Sequence, residues 1–207
     1  MKHWIDKRTG KPKIIYQLCA DTGSDTKYYA QNGYDVRLIG SKIGIENVHG
    51  HSDVYGIVAN PVCTHFSIAR THLAKIPRSF QEGMKLVKEC LRFIWECQYN
   101  PPGITIQSNL KFWVIENPAT GALKNFLGKP AFEYCPSEYG ADYTKRTALW
   151  GMFIPPPKEI LRTQLTKGKS VKDLNAYIKG NRNLKEAMEK RSECYDGFAK
   201  LFYYANP

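Results

Sequence analysis

Val54-Tyr55-Gly56-Ile57-Val58-Ala59-Asn60-Pro61-Val62-Cys63-Thr64-His65-Phe66-Ser67 decides how the chain is read. Its first six residues are small, aromatic or β-branched, the composition of a strand buried in a sheet. Pro61 stops that strand, because proline cannot donate to a ladder and biases Asn60 away from helix. Cys63 follows two residues later. A thiol at the carboxyl end of a buried strand lies where open α/β sheets place their chemistry. The stretch therefore predicts an α/β fold and makes Cys63 a candidate nucleophile.

Toward the N-terminus, Ile14 to Cys19 reads as a first strand, and Ala20-Asp21-Thr22-Gly23-Ser24-Asp25 as a Gly-containing turn. Such a turn lets backbone amides approach a ligand, and Ser24 and Asp25 are available to cap the helix that follows. Asn32-Gly33 closes that helix with residues suited to a left-handed cap. Tyr34 to Gly40 then reads as a second strand, which completes a βαβ unit. Residues 41–53 read as a polar loop, with a short strand expected near Val48. His49 and His51 have no third ligand nearby and read as solvated loop residues.

Toward the C-terminus, Ser79 to Gln98 carries the clearest helical period, with Phe80, Met84, Val87, Leu91, Ile94 and Trp95 at spacings of three and four. Ser79 and Glu82 form a capping-box pattern. Phe112 to Pro118 reads as a second buried strand that ends in an acid, an amide and a proline, Glu116-Asn117-Pro118. Ala119 to Leu127 reads as a short helix and Ala131 to Tyr134 as a short strand. Residues 138–151 mix aromatic, hydroxyl and basic groups, which suits bases and phosphates. Pro155-Pro-Pro157 breaks the chain, a basic and largely helical pattern fills 158–190, and Ser192 to Tyr204 reads as a last helix.

The 207 residues allow one sizeable domain. The formal charge of +11 points to a polyanionic partner, most simply nucleic acid. No run of apolar residues is long enough to span a membrane, and the first residues lack the core of a signal peptide, so a cytoplasmic location is expected. The six cysteines form no Cys-x-x-Cys pair, which leaves zinc without support and favours free thiols. Cys90 and Cys97 fall on one helix face and read as packing residues.

Chemically, a Cys63 thiolate is a strong carbon nucleophile. Glu116, at another strand end, reads as an acid able to hydrogen-bond and protonate a pyrimidine ring nitrogen. The thiolate would then attack carbon 6 and make carbon 5 nucleophilic, with Arg146 holding the ring carbonyl. These residues resemble a known set. Asn60-Pro-Val-Cys63 followed by Thr64-His65-Phe66-Ser67 is similar to the nucleophile loop of DNA cytosine-5 methyltransferases, especially the short phage-borne members. Glu116-Asn117-Pro118 resembles their cytosine-recognising strand end. Tyr143-Thr-Lys-Arg-Thr147 with Leu149-Trp-Gly151 resembles the segment that carries their active-site arginine. Ala20-Asp-Thr-Gly23 resembles their first glycine loop, and Arg191-Ser192 with Gly197-Phe-Ala199 up to Pro207 resembles their closing helix.

The resemblance implies an α/β, Rossmann-like class I methyltransferase fold, with a mostly parallel seven-stranded sheet and helices on both faces. It implies a catalytic domain over 1–157 and 191–207, with 158–190 as a small basic insertion, a reduced DNA-recognition element. The cofactor it implies is S-adenosyl-L-methionine or a modified analogue, met by Ala20, Asp21, Thr22, Gly23, Ser41, Asn47, Asn60 and Pro61. Cys63, Glu116 and Arg146 would be catalytic, and Thr64, Phe66, Ser67, Asn117, Lys145 and Thr147 would meet DNA. The chain departs from the family in places. Val62 replaces a proline, the second strand ends at Gly40-Ser41 without the usual ribose-binding acid, and the first loop has one glycine where two are typical. Target selection by a protein partner, a non-catalytic relative that binds DNA or protein, and action on RNA or a free pyrimidine nucleotide are the other readings.

Overall fold

The computed structural model describes residues 3–68, 77–99, 107–141, 143–158, 172–173 and 193–207. The apolar runs form one sheet. Strand β1, Ile14–Leu18, pairs in parallel with β2, Asp35–Ile39, on one side and with β3, Val54–Ala59, on the other. Strand β4, Phe112–Pro118, continues the parallel set beyond β3. Near-continuous burial along β1 and β3 follows from this, since a sheet covered on both faces leaves few exposed positions. Gly56 is needed where β3 meets β4, because a Cβ there would run into the Phe112 ring.

Three more strands follow: β5, Phe132–Tyr134, β6, Tyr143–Thr144, and β7, Thr147–Met152. The sheet runs β2-β1-β3-β4-β7-β5, and β7 is antiparallel to both its neighbours. Six strands, rather than seven, make up this mostly parallel sheet among the described residues. Thr147–Met152 was expected to face a ligand as part of a polar segment. It is instead an inner strand whose residues Thr147 to Trp150 are buried. Local sequence hides this because the basic residues before it and the glycine within it break the apolar run. Strand β6 pairs in parallel with β8, Lys172–Asp173. The rest of the expected basic insertion, apart from Lys158, lies outside the described residues, as do Arg191 and Ser192.

Helices cover both faces. Helix α1, Lys27–Gln31, and α2, Phe80–Gln98, are followed by α3, Lys124–Leu127, and α4, Asp196–Ala205. On one face Val87, Cys90, Phe93, Ile94 and Cys97 of α2 pack on Leu18, Ile57, Ala59 and Ile115. On the other, Tyr29 of α1 and Phe198, Phe202 and Tyr203 of α4 pack on Ile15, Val58, Val114 and Leu149. The α2 cap forms half of the expected box: Ser79 Oγ accepts from Glu82 N at 3.2 Å, while the Glu82 carboxylate turns to Lys85. Asn206 ends α4 by bonding Ile154 in both directions, at 2.8 and 2.9 Å.

Residues 41–53 contain a single turn of tight helix, Ile45–Asn47, in place of a strand near Val48. His49 lies against Glu96 and His51 near the Tyr16 hydroxyl. All six cysteines carry free thiols. Among the described residues no helix is long and apolar enough to cross a membrane, and no group of three His, Cys, Asp or Glu side chains is arranged to hold a metal ion.

Candidate active site

The chain leaves β1 for β2 on one side and returns to β3 on the other, so the connection order reverses between β1 and β3. A crevice opens at such a point, outside the carboxyl ends of the strands. The loops after β1 and β3 and the end of β4 all lie at that edge. Antiparallel β7 begins there, with Thr147 opposite Pro118. Asn60 N donates to Leu18 O at 2.9 Å and Ala119 N to Arg146 O at 2.9 Å, which ties the four segments together.

The nucleophile loop is held from below. Asn117 is fully buried, and its Nδ2 donates to Pro61 O at 2.9 Å. The Cys63 carbonyl accepts from Phe66 N and Ser67 N at 2.9 and 2.8 Å, forming one helical turn. Phe66 is fully buried between Phe80 and Phe126. Phe66 and Asn117 were expected to contact substrate; the Phe66 ring and the Asn117 Nδ2 hold the loop, while Asn117 Oδ1 is buried with no hydrogen-bond partner among the described residues. Thr147 is also buried, with its Oγ1 donating to Lys145 O at 2.9 Å. Thr64, half-buried, and Ser67, whose carbonyl accepts from Arg78, stay near Cys63 on the same turn. Cys63 itself is half-buried while Val62 beside it is exposed.

Two carboxyls meet behind the thiol. Glu116, near the end of β4, and Asp25, from the loop after β1, line one narrow cavity with Tyr134, Leu149, Cys194 and Phe198. Burial raises the pKa of Glu116; Lys145 opposes the rise, Asp25 adds to it, and a hydrogen bond from Asn60 opposes it. Its Oε1 is buried without a hydrogen-bond partner among the described residues. Burial likewise raises the pKa of Asp25, opposed by Lys145 and by hydrogen bonds from Ser24 and Asn60. The Cys63 thiol is pushed up by burial and then by Glu116, while Lys145 draws it down. One cation therefore acts on the thiol and both acids.

That cation is Lys145 and not the expected Arg146. The Arg146 guanidinium is exposed and pairs with Glu133 at 2.9 Å. Neighbouring residues on an extended chain point to opposite sides, so only one of Lys145 and Arg146 can face the crevice. Arg146 is placed at the correct edge of the sheet, with its charge turned outward.

The first loop gathers the remaining expected ligands. Cys19 leaves β1 with φ 59°, a left-handed conformation uncommon for a residue with a side chain. Its Sγ lies 3.7 Å from that of Cys90. Ala20 N continues along β2, donating to Ile39 O. Asp21 crosses to the end of β2, where its carboxylate accepts from Ser41 N at 2.9 Å and from Ser41 Oγ. Gly40 makes room for it, since a Cβ there would overlap Asp21 Oδ1. Asp21, Thr22 and Ser41 are exposed at the crevice edge, with Gly23 next to them at φ 69°. Asn47 is turned back to its own loop, donating to Ile43 O at 2.8 Å.

Four residues of this region went unnoticed in the sequence: Gln17, Asp25, Tyr134 and Cys194. Asp25 read as a helix cap, but Thr26 takes the cap position and the Asp25 carboxylate turns inward. The available signal was Gln17, an amide inside an otherwise apolar strand. It is fully buried and bonds both Asp25 and Thr26. No protein-family model and no curated protein matches this chain.

Proposed function

We propose that the protein is a DNA cytosine-5 methyltransferase-like enzyme in which Cys63 forms a covalent adduct with the base. The reading is supported above all by the electrostatic coupling of Cys63 to Glu116, whose buried Oε1 has no hydrogen-bond partner among the described residues. A buried polar atom left unpaired is costly unless a ligand meets it. The ring nitrogen and exocyclic amine of cytosine are such a ligand. The target base must leave the duplex stack to reach the site.

The residues at the β1 and β2 ends fit S-adenosyl-L-methionine. Asp21 stands over the end of β2, where dinucleotide-type folds hold a ribose with an acid. It thus offers the carboxylate that the second strand itself lacks. When bound, this cofactor supplies the methyl group for carbon 5. Cys63 gives up its proton to water and its sulfur bonds to carbon 6. Glu116 passes its proton to the ring nitrogen, and the ring double-bond electrons collect at carbon 5. Once carbon 5 has lost its own proton to water, the sulfur–carbon bond breaks, the thiolate and the double bond return, and the ring nitrogen gives its proton back to Glu116. Lys145 stabilises the thiolate and the carboxylate as they form.

DNA carrying 5-fluorocytosine tests the mechanism, because fluorine at carbon 5 blocks the release step. A covalent protein–DNA adduct is expected in the presence of S-adenosyl-L-methionine, and Cys63→Ser should abolish it. A wild-type protein that forms no adduct on any DNA tested would sink the proposal. The outward-facing Arg146–Glu133 pair favours a second reading, a relative that binds DNA without catalysis. The same trapping separates the two. Mass spectrometry of nucleosides from cells making the protein distinguishes DNA from RNA or a free nucleotide as substrate.

A further inference from the structure

The Glu116 role rests on the function proposed above and requires a proton on a carboxyl at neutral pH, where most carboxyls are ionised. Asp25 shares its cavity, yet the two acids are equipped very differently. Asp25 accepts from Gln17 Nε2 at 2.9 Å, Ser24 Oγ at 3.2 Å and Asn60 Nδ2 at 3.4 Å. Gln17 is in turn held by Thr26 Oγ1 at 2.7 Å, and both are fully buried. Hydrogen bonds donated to a carboxylate favour its charged form. Glu116 Oε1 receives none among the described residues, and the carboxyl as a whole is met only by Asn60. Two carboxyls in one low-dielectric cavity cannot both ionise cheaply, so one proton is shared and the environment decides where it sits.

We propose that Asp25 is a positioning residue for the reaction: its donors make it the charged half of a carboxyl pair, and it thereby keeps the shared proton on Glu116. Every group that faces Glu116 bears on it. Asp25 from the β1 loop holds the proton in place, and Cys63 from the β3 loop does the same once it is a thiolate. Lys145, ahead of β7, opposes both. Cys194 ahead of α4 and Tyr134 of β5 line the same cavity, and burial keeps both of these neutral. After Glu116 gives its proton to the ring nitrogen, two carboxylates face each other. That repulsion favours return of the proton to Glu116 when the base leaves, which resets the site. A carboxyl acid tuned toward the working pH is both loaded with its proton and able to deliver it.

Isotope-edited infrared spectroscopy of the protein alone tests this without substrate or cofactor. At neutral pH one protonated-carboxyl stretch is expected, displaced by 13C-glutamate labelling, unmoved by 13C-aspartate labelling and removed by Glu116→Gln. In Asp25→Asn the same band should titrate away at a proton concentration at least tenfold higher than in wild type. A band that follows the aspartate label, or no protonated carboxyl at neutral pH, overturns the proposal, as does an Asp25→Asn midpoint equal to wild type. The labelling arm needs no variant, so it decides even if Asp25→Asn does not fold. The trapping experiment and this titration fail independently: an adduct-forming enzyme can lack the proton-sharing pair, and the pair can exist in a protein that forms no adduct.

Discussion

Cys63 and Glu116 constrain each other electrostatically, and both effects are measurable. The thiol lies above its usual acidity range because of burial and then the Glu116 charge. Alkylation of Cys63 by iodoacetamide should therefore show a midpoint above that of a free thiol. Glu116→Gln should lower that midpoint and speed alkylation near pH 8; an unchanged profile would show that the two groups are not coupled. The acid also carries a stability cost. The folded-state pKa of Glu116 is raised above its unfolded value. Below the unfolded value both states are protonated and nothing is lost. As pH rises through the window between the two values, the folded state is progressively penalised, by about 1.4 kcal/mol for each tenfold weakening of acidity. Glu116→Gln should then melt several degrees higher than wild type at pH 8 while matching it near pH 4, with the adduct abolished. Calorimetry at the two pH values checks the sign.

The first loop and the end of β2 act as one element because Asp21 bridges them. Gly40→Ala puts a Cβ onto the Asp21 carboxylate and should dislodge it. Asp21→Ala removes the carboxylate itself. Both are expected to weaken S-adenosyl-L-methionine binding by about tenfold or more, the value of one charge-assisted hydrogen bond, with the melting temperature little changed. Isothermal calorimetry reads this, and equal affinity in both variants and wild type would remove the cofactor role of Asp21. Helix α2 gives a structural control: Ser79→Ala should cost about 1 kcal/mol through its lost cap and leave binding intact. The α2 period and its cap were legible in the sequence because both depend on residues three and four apart. The Asp21 bridge was not, since it joins the ends of two different strands. The acid missing from the end of β2 was visible as a gap; that the Asp21 carboxylate reaches that end could only be seen once β1 and β2 lay side by side.

The whole molecule carries +11, and the segment 158–190 holds nine Lys or Arg against four acids. Neutralising phosphates with these residues releases counterions, so DNA affinity should fall steeply and linearly in the logarithm of salt concentration. Changing Lys167, Lys169 and Lys179 to Gln should flatten that slope without altering Cys63 alkylation. A salt slope equal to wild type would place the DNA-binding surface elsewhere. Phosphate contacts carry no sequence information, so affinity that rests on them should depend little on sequence.

What the sequence determined by itself is what local rules encode. Apolar runs halted by Asn-Pro, a glycine turn after the first run, an Asn-Gly helix end and one strongly periodic helix predict an α/β fold, and the family resemblance implies helices on both faces of its sheet. They also place Cys63 and Glu116 at strand ends, since a proline breaker follows each of those runs within a few residues. Tertiary structure decided the rest. It set β7 between β4 and β5, turned Lys145 inward and Arg146 outward, and spent Phe66 and Asn117 on holding the Cys63 loop. It also brought Asp25 into the cavity of Glu116. These outcomes depend on strand order and register, which bring together residues far apart in the chain. Shifting an extended segment by one residue sends every side chain to the other face. That is why the thiol at the end of the Val54–Ala59 strand could be found from its neighbours, and its charged company could not.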